Sequence, residues 1–283
     1  MKKLILVLVI LNLCLVAGCV SKMDNAGNNG GTQNAVDMQP PTVEYPEPKY
    51  RLHTREDSVD YRADDDTLLL TGSYQWLELE TVNNDQLSPA GQEQARHSCE
   101  IFNARMAELR KQALDLNAEN AANAEMAFDQ GYQGSEFTDE TTVSGVFLGE
   151  ILNVRLDNYS YFGGAHPNRY TVSYTFDLTA GQFIDPIQIA DDPDRFHQEA
   201  ARLLVTKAEE KEEYLPGYWE DYRDIISRWN EGTVLFDAEG MTAFYPPYEI
   251  GPYVMGDVEL TVSYDEIADM LGPGGLEKLG LSD

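Results

Sequence analysis

Residues 151–178 read ILNVRLDNYSYFGGAHPNRYTVSYTFDL, and this stretch decides the fold class. Ile151 to Tyr161 and Tyr170 to Leu178 are rich in β-branched and aromatic residues that alternate with polar ones, the pattern of a half-buried strand. Between them, Phe162-Gly163-Gly164-Ala165-His166-Pro167-Asn168 carries the paired glycines and the proline of a turn. An antiparallel hairpin follows. Upstream, Val143 to Leu148 supplies another strand; downstream, Ala180-Gly181 turns the chain into Phe183 to Ile189. The expectation is an antiparallel meander of four strands.

Further out, Leu68, Leu70, Tyr74 and Trp76 alternate, and then Leu77 and Leu79 continue in the opposite phase, which predicts a bulge or a change of buried face within one strand. Ser88-Pro89 is a helix start, with serine at the N-cap and proline at the first helical position. Ala95, Cys99, Phe102, Met106, Leu109, Ala113 and Leu116 then recur at spacings of four and three, so they form one apolar stripe. Cys99 lies on that stripe and reads as a small buried hydrophobe. The Ala/Asn-rich segment from Asn117 to Gly134 is compatible with an extension of this helix or with a mobile insertion.

On the C-terminal side, a helix from about Arg195 to Glu213 places Phe196, Ala200, Leu203 and Leu204 on its inner face. An acidic, aromatic connection leads to Trp229. Val234 to Phe236, Met241 to Phe244 and Val258 to Val262 alternate as strands, and Ser263-Tyr264-Asp265-Glu266 is a capping box for a short helix ending before Gly272-Pro273. Strands cluster and helices are few. The predicted class is α+β, with antiparallel sheets and a few packed helices in two adjoining modules, 56–140 and 141–275.

The N-terminus gives Lys2 and Lys3, an apolar run from Leu4 to Val16 interrupted only by Asn12, and then Ala17-Gly18-Cys19. A spanning helix needs roughly 20 apolar residues, and this run is shorter and ends in small residues, so residues 1–18 read as a lipoprotein signal peptide with Cys19 as the lipidated residue. Residues 19–55, rich in Asn, Gly, Gln and Pro, read as a disordered tether. The protein is therefore expected to be extracytoplasmic, attached to the bacterial membrane by its lipid. The chain of 283 residues has a net charge of −29, and loss of Lys2 and Lys3 with the signal, which contains no acid, leaves −31. Phosphate backbones would be repelled, so nucleic acid is a poor partner; a cationic partner would be steered toward the chain, or the acidity only keeps the protein soluble.

The order Tyr159-Ser160-Tyr161-Phe162-Gly163-Gly164-Ala165-His166-Pro167-Asn168, then Phe176-Asp177-Leu178-Thr179-Ala180-Gly181, then Phe244-Tyr245-Pro246-Pro247-Tyr248-Glu249-Ile250-Gly251-Pro252-Tyr253 with Gly256, resembles the RsiV-like extracytoplasmic domain of unknown function. The likeness spans about residues 140–272. Residues 56–140 more loosely resemble the smaller module that precedes it in RsiV-type anti-sigma factors and PdaC-type peptidoglycan deacetylases. The resemblance implies an envelope module, and the RsiV branch binds lysozyme, a basic protein. Neither a sigma-binding segment with a transmembrane helix nor a deacetylase catalytic domain is found, so those activities do not carry over.

The four histidines, His53, His97, His166 and His197, are scattered without metal-ligand spacing, and no nucleophile elbow, phosphate loop or dinucleotide fingerprint occurs. No cofactor or metal is expected. Asp64-Asp65-Asp66 and Asp191-Asp192-Pro193-Asp194 lack the glycine and distal glutamate of a calcium loop and read as solvated turns. Two segments remain as candidate ligand-binding sites. One is Tyr159, Tyr161, Gly163, Gly164, His166 and Asn168; the other is Tyr245, Tyr248, Glu249 and Tyr253, on a backbone stiffened by Pro246, Pro247 and Pro252. Aromatic faces with polar tips suit sugars or proteins, or they merely shape and cap the sheet edges. The expected function is a non-catalytic envelope binding module, with lysozyme or peptidoglycan as leading ligands. The rivals are a hydrolase, or deacetylase accessory, acting on wall polymers through His166, and a purely structural lipoprotein.

Overall fold

The computed structural model describes residues 47–131, 137–212, 217–230 and 232–282. The signal segment, Cys19 and the tether up to residue 46 lie outside them. Folding begins earlier than residue 56, because β1 runs over Tyr50–Arg62. Its partner β2, Leu68–Thr81, pairs with it antiparallel along its whole length, and the single register slip is at Tyr61/Arg62.

The phase change at Trp76/Leu77 is thus a change of buried face and not a bulge. Leu70 and Tyr74 are buried in one alternation, Leu77 and Leu79 in the other. β3, Phe137–Leu148, pairs with β2 only from Leu70 to Tyr74. Beyond that point β1 and β2 continue as a two-stranded ribbon, and such ribbons twist more than wide sheets. The exposed backbone of that ribbon is satisfied by a side chain: the Asn103 amide accepts the Leu79 N–H at 2.8 Å and donates to the Leu79 carbonyl at 3.0 Å.

The helix α1, Pro89–Asp129, carries Asn103 and explains one departure from the all-antiparallel expectation. It is the crossover that lets β3 pair parallel to β2. The Ser88 hydroxyl accepts the Gly91 N–H, as the cap predicts. The stripe holds through Phe102, Met106 and Leu109; further on Leu116 is exposed, and Asn117, Ala121 and Ala124 take over the buried side. The segment from Asn117 therefore extends the helix as far as Asp129. Asn117 lies where Gly72 leaves space: a Cβ on Gly72 would meet its Nδ2 at 2.6 Å.

The meander forms as expected. β3 pairs with β4, Ile151–Tyr161; β4 with β5, Asn168–Asp177; and β5 with β6, Gln182–Ile184, all antiparallel. β6 is shorter than the predicted Phe183–Ile189 strand because Asp185-Pro186 starts a 3-10 turn, with the Asp185 carboxylate accepting the Ile187 N–H. The expected module junction at 140/141 falls inside β3, which pairs with β2 on one edge and β4 on the other.

A second sheet is built from β7, Val234–Phe236, β8, Gly240–Tyr245, and β9, Val258–Ser263. Three helices pack with it: α2, Pro193–Glu212, α3, Tyr222–Ile226, and α4, Tyr264–Lys278, kinked at Gly272. Glu266 accepts the Ser263 N–H at 3.0 Å, as the capping box predicts. The kink at Gly272 is where the sequence ends that helix. Asp191 accepts the Gly274 N–H there, so one of the acidic turns serves as a clamp.

Strand alternation assigns the layers. Leu152, Val154 and Leu156 of β4 and Phe176 of β5 pack against Phe102, Met106 and Leu109 of α1. From the opposite face of the same strands, the Asn153 side-chain Oδ1 accepts the Phe236 N–H and the Ser173 hydroxyl donates to the Val234 backbone carbonyl. Arg155 lies over the Phe244 ring at 4.3 Å and pairs with Glu259 at 2.8 Å, which ties the two sheets together. The far face of the small sheet, with Val234, Phe236, Met241, Ala243, Leu260 and Val262, buries Phe196, Leu204 and Ile267 of the helices. The order is α1, large sheet, small sheet, helices. Among the described residues no helix is long and apolar enough to cross a membrane.

Candidate functional site

The two segments singled out in the sequence, some eighty residues apart, meet in space. The β4–β5 turn takes positive φ at Gly163 (86°) and Gly164 (106°), values that only glycine adopts without strain. The Tyr161 hydroxyl donates to the Gly164 carbonyl at 3.1 Å and braces the turn. His166, at its exposed tip, stacks on Tyr253 with ring centroids 4.2 Å apart and planes 16° from parallel. Tyr253 in turn lies 5.6 Å from Tyr248.

Tyr248 is held in an unusual way. It is 57% exposed and has φ of +74°, a conformation that costs a bulky side chain of order 1–3 kcal/mol and persists only where the surroundings impose it. Three backbone bonds do so: the Tyr248 N–H to the Gly251 carbonyl, the Glu249 N–H to the Pro246 carbonyl, and the Trp219 N–H to the Ile250 carbonyl. The Trp219 indole N–H also reaches the Tyr248 carbonyl at 3.4 Å, and that tryptophan is itself 40% exposed. On the other side, Tyr159 lies under the Arg169 guanidinium at 5.4 Å, and Arg169 pairs with Asp257 at 3.4 Å. Tyr159, His166, Tyr253, Tyr248 and Trp219 thus come together from the β4–β5 hairpin, the β8–β9 loop and the connection that precedes α3. Asn168 opens β5 opposite Ser160 and is exposed.

Tyr245 does not belong to that surface. It is 2% exposed because it ends β8 in phase with Met241 and Ala243, whose side chains face the helices. Together with Glu249 it lines a separate cleft of about 260 Å³, bounded by Ile225, Arg228, Trp229, Asn230 and Thr233. Burial pushes the Glu249 carboxyl up from its ordinary 4.5 to about 6, and pushes the Tyr245 phenol up as well. The sequence reading missed Trp219, Arg169, Asp257 and the cleft. Arg169 and Asp257 flank quoted motifs, but their pairing is a tertiary event.

Glu249 yields a stability prediction. A carboxyl with its folded pKa above its unfolded value binds more protons when folded, so stability falls as pH rises from about 4.5 to 6 and stays reduced above that. Glu249→Gln removes the ionised state. It should stabilise the protein by about 1 to 2 kcal/mol at pH 7.5 and change little at pH 4. Thermal unfolding at the two pH values checks this; a destabilised variant at pH 7.5 would mean the carboxylate is well satisfied.

Among the described residues no group of histidine, cysteine or acidic side chains could hold a metal ion. Residues 198–265 match the family described as a protein of unknown function, DUF3298, and the match covers the small sheet, most of α2, and the β8–β9 loop with Tyr248 and Tyr253. A crystal structure of a member of that family from Bacteroides fragilis NCTC 9343 is similar at 19% identity, covering 82% of this chain and 97% of the other, with a TM-score of 0.55. A DUF3298 family protein from Pseudomonas aeruginosa PAO1 is similar at 14% identity, over 81% of this chain and 97% of the other, with a TM-score of 0.45. The first likeness extends the shared fold well beyond the matched domain. No curated protein matches the chain.

Proposed function

We propose that this chain is a non-catalytic, extracytoplasmic binding module, held to a bacterial membrane through a lipid on Cys19, which recognises a wall glycan on the aromatic surface of Tyr159, His166, Tyr253, Tyr248 and Trp219. The observation that carries this reading is the stacking of His166 on Tyr253, which joins two distant segments into one exposed platform. Rings with polar edges offer apolar faces to sugar C–H groups and hydrogen bonds to hydroxyls. The strained Tyr248 backbone supports the same reading, because strain of this kind collects at ligand clamps. The RsiV-like order of motifs and the module preceding it in RsiV-type and PdaC-type proteins support an envelope setting.

The test is binding of soluble peptidoglycan fragments by the purified protein. Tyr253→Ala should weaken binding by about tenfold, the equivalent of one lost stacking contact, with thermal stability retained. His166→Ala should weaken it by a smaller factor. The net charge of −29 favours a second reading, capture of a cationic protein such as lysozyme. That reading requires an association rate that falls steeply between low and physiological salt, whereas a glycan on aromatic rings is insensitive to screening. Turnover of the fragments by wild type, lost in His166→Ala with binding unchanged, would replace both readings with that of a hydrolase.

A further inference from the structure

The cleft behind the platform has polar groups that the fold leaves unanswered. The Tyr245 hydroxyl is buried and has no hydrogen-bond partner among the described residues. In a native protein such an atom calls for an explanation, since leaving it unpaired costs about 1–3 kcal/mol. Glu249, on the same cleft, sits in surroundings that desolvate its carboxylate. Arg228 lines the cleft too. Its Nε donates to the Asp224 carbonyl, yet no ion pair joins Arg228 to Glu249. One acid and one base thus face a common space without neutralising each other. Asn230 and Thr233 add polar edges, and Trp229 and Ile225 supply apolar walls.

The remaining polar capacity differs between the two ends. The Asn230 carbonyl oxygen of the side chain is already taken by the Gly232 N–H, so its amide can still donate. The Thr233 hydroxyl is engaged with the Asn230 backbone. Among the described residues, free donors therefore gather around Arg228 and Asn230, and free acceptors around Glu249 and Tyr245. The volume, about 260 Å³, lies just under the roughly 300–1,000 Å³ typical of drug-sized ligands, which suits a single small residue.

We propose that this cleft binds a compact zwitterion of the α-amino-acid type, with its ammonium toward Glu249 and the Tyr245 hydroxyl and its carboxylate toward Arg228 and Asn230. An ammonium satisfies the buried phenol oxygen and compensates the desolvated carboxylate in one contact; a carboxylate meets the guanidinium and the amide. The free carboxyl-terminal amino acid of a peptide does not qualify, because its nitrogen is acylated. The ligand is a free amino acid or a side chain that ends in both charged groups. This site is separate from the platform and does not depend on the glycan reading.

The experiment is ligand-detected NMR and calorimetry on the whole protein with four probes: D-alanine, methylammonium, acetate and N-acetylglucosamine. D-alanine should bind at least about tenfold more tightly than methylammonium or acetate, because only it engages both ends. Glu249→Gln and Arg228→Met should each reduce its affinity by about tenfold or more, and Tyr245→Phe by a few-fold. Glu249→Gln keeps the shape of the side chain, so unfolding does not confound the result. Affinity should also fall as pH drops from 7.5 to 5, as Glu249 takes up a proton; Arg228 is the one other charged side chain lining the cleft among the described residues. Equal binding of D-alanine and methylammonium, tight binding of N-acetylglucosamine that survives Glu249→Gln, or no D-alanine binding in the tens of millimolar each overturn the proposal.

Discussion

Gly240→Ala should destabilise the protein by about 3 kcal/mol or more and lower its melting temperature by roughly 6–12 °C. Gly240 opens β8 opposite Ser263 of β9. A Cβ there would overlap the Val262 carbonyl oxygen and stand 2.8 Å from the Val262 carbonyl carbon and 2.9 Å from the Ser263 Cα. Every offending atom is backbone, so no side chain can rotate away. Relief requires the strands to separate, and both strands are anchored: Met241 and Val262 are fully buried in the core against the helices, and the Asp237 N–H bonds to the Gly240 carbonyl at 2.9 Å. The measurement is calorimetric unfolding of the variant beside wild type. A shift below about 1 kcal/mol would mean that the β8–β9 contact is looser than its geometry implies.

Phe102→Ala should cost about 3–5 kcal/mol, the loss for a fully buried phenylalanine. Phe102 is where α1 meets the large sheet. Its ring packs edge-on to Phe176 at 5.4 Å and stacks with Phe183 at 6.0 Å, so one side chain joins the helix to β5 and β6. Removing it leaves a cavity that Met106 and Leu109, fixed on the same helix, cannot fill without moving the helix. The two substitutions act on different cores, yet both cores hold on to β4, with Ile151 in one and Leu152 in the other. Both variants should therefore shift a single cooperative transition. If Phe102→Ala instead split off an early transition while the later one stayed in place, residues preceding β3 would be a separate folding unit.

The cooperative sheet also bears on recognition. The platform is built on the ends of rigid strands: His166 on the β4–β5 hairpin, Tyr253 and Tyr248 on the loop between β8 and β9. Arg155, bridging to Glu259 and covering Phe244, fixes the distance between those two hairpins. The stacked geometry of His166 on Tyr253 is thereby a consequence of sheet-on-sheet packing.

Much of this was legible in the residues themselves. Alternation and turn chemistry were enough for the β4–β5 hairpin, since side-chain period and glycine conformation are local properties. The N-cap at Ser88 and the Glu266 box were legible for the same reason, because a cap involves residues within one turn. The α+β class followed from the density of such strands. Helical spacing likewise placed Phe102 and Met106 in a core, though it failed to place Asn117 there, because what lies opposite that turn of α1 is Gly72, a partner chosen by the parallel pairing of β2 and β3. That pairing, and the reach of α1 to Asp129, depend on contacts made across the whole chain. The same holds at the site. Sequence picked out the two aromatic segments by composition, but their meeting is decided by how the small sheet lies on the large one. Tyr245 and Tyr248, three residues apart, go to opposite sides, one by the phase of β8 and the other by a positive φ held by two bonds within the loop and by the bond from the distant Trp219 N–H to the Ile250 carbonyl. Local periodicity carries information over a few residues; which faces find each other is settled by the burial of all of them at once.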